Sequence, residues 1–456
     1  MRNRGRAVRS SEEAFVMNVE RRGGVGQSAS QPNCVQEEAE YEQTKPFQIS
    51  KWQVVEAYRR VKARAGGAGM DNQTLEDFDR DLRNNLYKIW NRLSSGSWIA
   101  PPVKAVEIPK KNGGSRLLGI PTVSDRIAQM TVLLTFEPLV ERYFYDDSYG
   151  YRHGKSALDA IAITRKRCWQ YDWCIEFDIK GLFDHIPHDL LLKAVDKHCK
   201  DKWVRLNIVR WLNAPVIMPD GMQRERNKGT PQGGVISPVL ANLFLHYVFD
   251  KWLTVNYPGI PWCRYADDGL IHCRNKQQAE ELLGKLAQRF IECGLELHPE
   301  KTKIVYCKDG MRKSDHENCQ FDFLGYTFRA RSVQNRRRGN IFMNFTPAVS
   351  KSAQKSMRTK LRKLRIRCRA DMNLDGIAKW LNPIISGWLN YYAKYHKSAM
   401  KAVCRHINLA LVKWARRKYK SLRTHKSRAC QLMEKLSKQR PDIFAHWKAG
   451  LGTAFA

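Results

Sequence analysis

The chain has 456 residues, 43% of them apolar, enough for several domains and a sizeable core, which excludes wholesale disorder. Lys and Arg number 79 against 45 Asp and Glu, a formal charge of +34 with pI near 9.8, so a polyanionic partner is expected, nucleic acid before an anionic membrane. The sequence contains no apolar run of the roughly eighteen residues a membrane span needs, its Arg-rich start lacks the apolar centre of a secretory signal, and its 12 cysteines form no C-x-x-C pair, so reduced thiols are expected and no zinc framework.

Residues 1–45 are polar and rich in Gly, Ser and Gln, with an acidic patch at Glu37, Glu38, Glu40 and Glu42, and read as a disordered leader. Ser50 is the expected N-cap of a helix over Lys51–Arg64, and Thr74 caps a helix carrying Leu75, Phe78, Leu82 and Leu86. These make a helical extension over 46–102. Val103–Pro109 and Arg116–Ile120 read as strands joined at Lys111-Asn112-Gly113-Gly114. On the residues alone, Lys110 and Arg116 are solvated cations of a surface hairpin. Thr122–Leu134 reads as a helix with Asp125, Arg126 and Gln129 on its polar side, and Ser148-Tyr149-Gly150-Tyr151-Arg152 precedes another helix that starts at Ser156.

Trp173, Ile175, Phe177 and Ile179 alternate with Cys174, Glu176 and Asp178, the period of a strand. Asp178 therefore faces away from the apolar set, at the strand's end. Asp184 and Asp189 read as caps of the following turns, and Phe183 as one more core aromatic beside Leu182. His185 and His188 form an H-x-x-H without a Cys or carboxylate partner and read as structural or exposed. Glycines and a proline interrupt Lys228–Gly234, which is a loop. Ser237 as N-cap and Pro238 at the first helical position then start a helix with the core stripe Leu240, Leu243, Phe244, Tyr247 and Val248.

Apolar residues run into and out of Arg264-Tyr265-Ala266-Asp267-Asp268-Gly269, which reads as strand, tight acidic turn, strand. Asp-Asp-Gly is good turn chemistry for purely local reasons. A helix over Lys276–Cys293 follows. Lys301 reads either as a solvated side chain or as a backbone-phosphate contact. Phe321–Tyr326 reads as an aromatic strand.

From Arg329 the composition turns basic, with a loop at Arg336-Arg337-Arg338. Arg358, Lys360, Arg362, Lys363, Arg365 and Arg367 follow on what reads as a helix. Trp380, Leu381, Ile384, Ile385, Trp388, Leu389 and Tyr392 form a helical stripe that Asn382-Pro383 is expected to break in two. A further helix carries Val403, Ile407, Leu411 and Trp414, with Arg405, Lys413, Arg416 and Arg417 away from the stripe. Basic amphipathic helices also suit a membrane surface. The interior tryptophans favour a nucleic-acid-binding bundle.

Taken in order, the strand ending at Asp178, the loop Thr230-Pro231-Gln232-Gly233-Gly234 and the hairpin Tyr265-Ala266-Asp267-Asp268 resemble the palm of a reverse transcriptase, in the variant of the group II intron reverse transcriptase/maturase family. The resemblance covers about residues 46–450. It implies an α+β chain: right-hand polymerase fingers and palm over 103–330, an all-α thumb or maturase domain X over 331–413, and a basic DNA-binding tail over 414–456. It also implies an RNA-directed DNA polymerase of the bacterial cytoplasm that binds its group II intron RNA and helps it splice. Its partners would be dNTPs, an RNA template with a DNA primer, and target DNA, with no membrane. Some family members end in a zinc-bearing nuclease with paired cysteines and histidines. No such cluster follows here, so the form without it is expected, and cleavage of the second DNA strand by this chain is not. A free-standing reverse transcriptase, for example in phage defence, is the alternative, as is a splicing-only maturase; retention of all three carboxylates argues against the latter.

Phosphoryl transfer onto a primer 3′-hydroxyl needs charge stabilised at the attacking and leaving oxygens, which two divalent ions about 3.5–4 Å apart provide. Hard oxygen ligands suit Mg²⁺. The resemblance implies Asp178, the backbone of Ile179, Asp267 and Asp268 as ligands. Asp178 and Asp267 are expected to bridge the two ions and Asp268 to be peripheral, since adjacent residues point in different directions. It further implies Lys110 and Arg116 on the incoming triphosphate, Phe183 beneath the sugar, crowding a 2′-hydroxyl, and Gln232 on the nascent pair. Phe321–Tyr326 matches the primer-gripping segment. Nucleic-acid contacts are assigned to Arg152, which reads equally as structural, to Lys301, to Arg358, Arg362 and Arg365, and to Arg416 and Arg417 in the tail.

Overall fold

A computed structural model describes residues 45–109, 114–334, 339–452 and 455. Nearly all of the leader, Lys110 and the Arg336–Arg338 loop lie outside the described residues. In chain order come helices α1 (Lys51–Arg64), α2 (Leu75–Arg80) and α3 (Leu82–Ser94), strands β1 (Val103–Pro109) and β2 (Ser115–Ile120), and helix α4 (Val123–Glu141). Helix α5 (Ala157–Cys168) precedes β3 (Trp173–Asp178), then α6 (Leu182–His185), α7 (His188–His198), α8 (Lys202–Asn213), β4 (Val216–Ile217), β5 (Gln223–Arg224), α9 (Ser237–Leu245) and α10 (Lys251–Asn256). The hairpin β6 (Trp262–Tyr265) and β7 (Asp268–Cys273) leads to α11 (Lys276–Glu292), β8 (Lys303–Tyr306), β9 (Gln320–Phe323), β10 (Tyr326–Gln334) and β11 (Ile341–Val349). Helices α12 (Lys351–Lys363), α13 (Leu374–Tyr392), α14 (Lys401–Lys418) and α15 (Lys426–Gln439) follow, with short helical turns at Pro441–Ile443 and Trp447–Leu451 after them. Among the described residues, no helix is long and apolar enough to cross a membrane.

The chain divides into two compact units, residues 1–154, 178–259 and 284–298 in one, and 155–177, 260–283 and 299–456 in the other. In the first, strands order β2-β1-β4-β5, with β1 and β2 antiparallel and Ile108 opposite Arg116. Helix α4 starts where the Thr122 hydroxyl accepts from the Asp125 N–H, and it is buried on nearly all sides, as a central helix must be. Its expected polar side is therefore not solvent-facing: Asp125, Arg126 and Gln129 are buried. Helix α9 is likewise central. Ile236, not Ser237, is its N-cap, because the Ser237 hydroxyl is engaged by the Thr230 hydroxyl at 2.8 Å instead of capping the helix.

The second unit holds the sheet β6-β7-β3-β8, with β3 and β8 antiparallel and Glu176 opposite Lys303, and the antiparallel sheet β11-β10-β9. The expected aromatic strand Phe321–Tyr326 is a hairpin instead. Leu324 and Gly325, both at positive φ (50° and 79°), turn β9 into β10, the conformation a tight two-residue turn requires.

Helices α12 to α15 share one core, from Val349 through Leu361, Leu381, Ile407 and Trp414 to Met433, Phe444, Trp447 and Phe455. The domain boundary expected at 413/414 falls inside α14, and Trp414 is fully buried. The expected break at Pro383 is absent, and α13 runs through it. A mid-helix proline costs about 3 kcal/mol, but Ile377, Ala378, Leu381 and Ile385 bury one continuous stripe across it. Arg365 does not share a helix with Arg358 and Arg362, because α12 ends at Lys363 and Arg365 turns the chain at φ 49°.

Candidate active site

The Gly229–Gly234 loop is irregular because backbone groups hold it on two sides. The Gly119 N–H of β2 donates to the Gln232 carbonyl at 2.7 Å, and a Cβ on Gly233 (φ 118°) would fall 2.4 Å from the Gly119 carbonyl oxygen. On the other side, the Thr230 N–H donates to Phe183 O at 2.7 Å and the Gly229 N–H to Ile186 O at 2.8 Å. His188 Nε2 lies 2.7 Å from Gly229 O and His185 Nδ1 2.9 Å from Gly181 O, so both histidines are structural. The Gln232 amide reaches Asp184 Oδ2 at 3.4 Å, and Phe183 is half-buried beside it in the chain.

Beneath the loop lies a network that the sequence did not announce. Gln129 Oε1 accepts from the Val235 N–H at 2.7 Å, while its Nε2 donates to Asp125 Oδ2 at 2.9 Å. Asp125 Oδ1 accepts from the indoles of Trp211 (2.7 Å) and Trp98 (3.3 Å). Burial pushes the Asp125 carboxyl up to about 6, against the pull of these donors.

Arg116 is exposed on β2. Arg152 is placed as a structural residue. Its side chain is 6% exposed, pairs with Glu141 at 2.7 Å, and donates to the carbonyls of Tyr145 and Ser148. Asp178 closes β3, 8% exposed, with its carbonyl accepting from the His298 N–H at 2.8 Å. Ile179 forms an antiparallel bridge with Leu297, so the strand's exit is pinned through the backbone.

In the second unit, Tyr265 pairs with Asp268, leaving Ala266 and Asp267 as a two-residue turn. Ala266 sits at φ 57°, a strained position for a residue with a Cβ. Arg264, wholly buried on β6, donates from Nη1 to the Ala266 carbonyl at 3.1 Å and so holds that turn. A Cβ on Gly269 would fall 2.0 Å from Phe177 Cζ, so glycine is required where β7 crosses the Phe177 ring. The backbone of β6 is supported by Arg167 Nη1, 2.6 Å from Trp262 O. Burial, with Arg167 nearby, holds His272 at about 3, so β7 has a neutral interior. Asp267 and Asp268 are half-buried, and Phe177 is followed in the chain by Asp178. The donors are hard carboxylate oxygens of the kind Mg²⁺ takes. Among the described residues, no three His, Cys, Asp or Glu side chains are gathered into a metal-binding group. On β3, burial pushes Glu176 up to about 7 although Lys303 stands 3.1 Å away.

Lys301 is exposed just before β8. Farther along the second unit, Tyr391 Oη donates to Leu324 O at 2.9 Å, and the Tyr326 ring packs at tilted and edge-on angles among Tyr391, Tyr392 and Tyr395, which fixes the β9–β10 turn. Arg358 and Arg362 on α12 and Lys413 on α14 all act on His406, whose proton affinity burial and these cations lower. Helices α12 and α14 thus present positive charge at one place. Arg416 Nη2 donates to Arg423 O at 3.0 Å, and Arg417 is exposed.

A four-stranded sheet carrying an acidic two-residue turn, followed in the chain by a basic helical bundle, is the arrangement expected of the palm and thumb of the reverse transcriptase class. Residues 108–328 match the reverse transcriptase (RNA-dependent DNA polymerase) family, and residues 354–430 match the group II intron, maturase-specific domain. "Protein YkfC" of Escherichia coli is 31% identical over 297 residues, covering 57% of this chain and 74% of that protein. "Group II intron-encoded protein LtrA" of Lactococcus lactis subsp. cremoris is 33% identical over 200 residues, 43% of this chain and 33% of that one. The "Putative COX1/OXI3 intron 1 protein" of Saccharomyces cerevisiae is 32% identical over 197 residues, 43% of this chain and 23% of its own length. The chain belongs to the group II intron reverse transcriptase/maturase family, and it spans a third or less of the length of the last two relatives. Its fold class is α+β, polymerase fingers and palm followed by a helical maturase domain.

Proposed function

We propose that the chain is an RNA-directed DNA polymerase that also binds a group II intron RNA, assists its splicing, and supports its mobility by target-primed reverse transcription. The observation that carries this reading is the presence in one chain of both family domains, with an acidic turn clamped by Arg264 and Phe177. Asp178, the Ile179 backbone, Asp267 and Asp268 would hold two Mg²⁺ ions, a grouping taken from the motif order. Ions bound there supply charge stabilisation at the attacking and leaving oxygens. Lys110 and Arg116 neutralise the triphosphate, Phe183 excludes a 2′-hydroxyl, and Gln232 meets the nascent pair. Lys301 meets the nucleic-acid backbone. Arg358, Arg362 and Arg365 take intron RNA, and Arg416 and Arg417 serve the tail's contact with target DNA. A bacterial cytoplasm is the setting this reading assigns.

Splitting the two activities tests it. Asp267→Ala should abolish cDNA synthesis on an RNA template with a DNA primer while leaving protein-stimulated splicing at low magnesium largely intact. Extension by that variant at near wild-type rate would falsify the carboxylate assignment. Neutralising Arg358 and Arg362 should do the opposite, weakening intron-RNA affinity and flattening its salt slope by about 0.7–0.9 for each phosphate no longer neutralised.

A further inference from the structure

Residues 329–353 fall between the two family matches, and there β10 and β11 run out of their sheet. Strand β9 pairs with β10 only as far as Gln320 opposite Arg329. Beyond that, Ala330–Gln334 pairs with Ile341–Phe345 alone, as a two-stranded ribbon. At its base Phe345, Thr346, Ala348 and Val349 are buried. Farther out, Met343, Phe342 and Ile341 are 44%, 41% and 72% exposed. Consecutive strand side chains point to opposite faces, so both faces of the outer ribbon carry bare apolar groups. Met311, also exposed, stands near them, since the Gly310 N–H donates to Met343 O at 3.1 Å. A bare ribbon is marginal in water, and an uncovered apolar edge is an association hazard.

Charge decides what covers it. Between Asp322 and Asp371 the sequence has no Asp or Glu and fourteen Lys and Arg. Arg331 lies along the ribbon, donating to Thr346 O and Thr327 O at 3.3 and 3.2 Å; burial, and then Arg329, lower it to about 10, so it stays charged at neutral pH. Arg329 is exposed. Cations without compensating carboxylates repel a second copy of the chain and attract a polyanion. Two-stranded ribbons enter nucleic-acid grooves, and Ile, Phe and Met are among the apolar side chains that proteins bring into a minor groove, where they wedge at base steps. A double-helical RNA offers a wide, shallow minor groove for such a surface. On the C-terminal side the ribbon is continuous in the chain with α12, which carries Arg358 and Arg362.

We propose that the outer β10–β11 ribbon docks on a double-helical segment of the intron RNA. Ile341, Phe342 and Met343 lie against the sugar edge of the shallow groove, and Arg329 meets a flanking phosphate. This rests on the intron-RNA reading above. The connecting residues 335–338 lie outside the described residues and are not assigned to the surface.

The test uses the full chain carrying Ile341→Ser, Phe342→Ser and Met343→Ser together, and separately Arg329→Gln. The probes are an RNA duplex, an RNA–DNA hybrid of the same sequence and a single-stranded RNA of the same length, each titrated across salt. The triple variant should bind the RNA duplex at least about tenfold more weakly, as truncation of anchoring apolar side chains does, with an unchanged salt slope. Arg329→Gln should instead flatten the slope by about 0.7–0.9. Single-strand binding should not move with the triple variant. Wild-type affinity of the triple variant for the RNA duplex overturns the proposal. So does a weakening confined to the hybrid, which assigns the ribbon to template and primer. A wild-type dimer that the triple variant dissolves also overturns it, and makes the patch a protein interface. Failure of the wild-type chain to bind RNA duplex sinks the intron-RNA reading itself, and primer extension measured in parallel checks the polymerase reading separately.

Discussion

The ring of Phe177 fills the space that any side chain at residue 269 would need, 2.0 Å from the position of a Cβ there. Gly269→Ala must therefore push β7 away from β3 or rotate the ring out of the core. Overpacking of this kind costs about 1–3 kcal/mol. Gly269→Ala should lower the urea midpoint by a corresponding amount and abolish primer extension, and Phe177→Leu in the same chain should restore part of both. An alanine variant that matches wild type in stability and extension would show that the hairpin tolerates the shift.

Arg264 is the second support of the acidic turn. Arg264→Lys keeps the charge on β6 but lacks the planar fork that reaches the Ala266 carbonyl. With the strained Ala266 released, Asp267 loses its fixed direction. Calorimetric Mg²⁺ affinity should fall, and the magnesium concentration for half-maximal extension should rise, while intron-RNA affinity stays the same. Unaltered magnesium binding would reduce Arg264 to a packing residue.

Asp125 makes a pH prediction. Burial holds its carboxyl at about 6 in the native state, above the ordinary 3.8, so the folded chain takes up this proton more readily than the unfolded one. The associated stability is complete below about pH 4 and is lost as pH rises through about 6. Asp125→Asn should remove this decline. Its amide NH₂ must face either Gln129, which donates to Oδ2, or both indoles, which share Oδ1; facing Gln129 sacrifices one donor instead of two, so that orientation is expected, and it loosens the Gln129 hold on Val235. The check is urea unfolding from pH 4 to 7 together with the KM for dNTP, which should rise. A wild-type slope in the Asn variant would assign the titration to another group.

Phe183 sits on a single helical turn whose carbonyl is tied to Thr230. Phe183→Ala leaves that backbone link in place while opening the space its half-buried ring takes. Ribonucleotide incorporation should rise by one to two orders of magnitude on the about 1.4 kcal/mol per tenfold scale, with dNTP use partly kept. Equal discrimination by variant and wild type would make Phe183 a core residue only.

What is legible in the sequence is what local chemistry dictates. Helix α1 and strand β1 span the residues expected of them, although the Ser50 side chain makes no capping bond, and the acidic hairpin is visible as apolar runs around two carboxylates. Helical periodicity assigns polar residues outward, and so it turns Asp125 and Gln129 toward solvent. Only the indoles of Trp98 and Trp211, distant in sequence, create the buried polar network. Gly325 inside an aromatic run is a usable turn signal, since a lone glycine in a strand marks a bend. Pro383 misleads because local backbone preference yields to burial of a long stripe. The role of Arg264 has no signature in its neighbours, for it depends on how the following turn folds back.

The junction at Pro383 also bears on the order in which the chain is made. Asn382 Nδ2 donates to Ile443 O at 2.8 Å, its Oδ1 accepts from the Ala445 N–H at 3.0 Å, and Phe444, Trp447 and Phe455 close the core begun by Leu381 and Leu411. At synthesis rates of about 5–20 residues per second, Trp414 waits some seconds after leaving the ribosome for the residues that cover it. Until then the core begun by Leu381 and Leu411 lacks the aromatic side chains that cover it. The bundle is therefore sealed only once residues 443–455 have joined the helices that precede them.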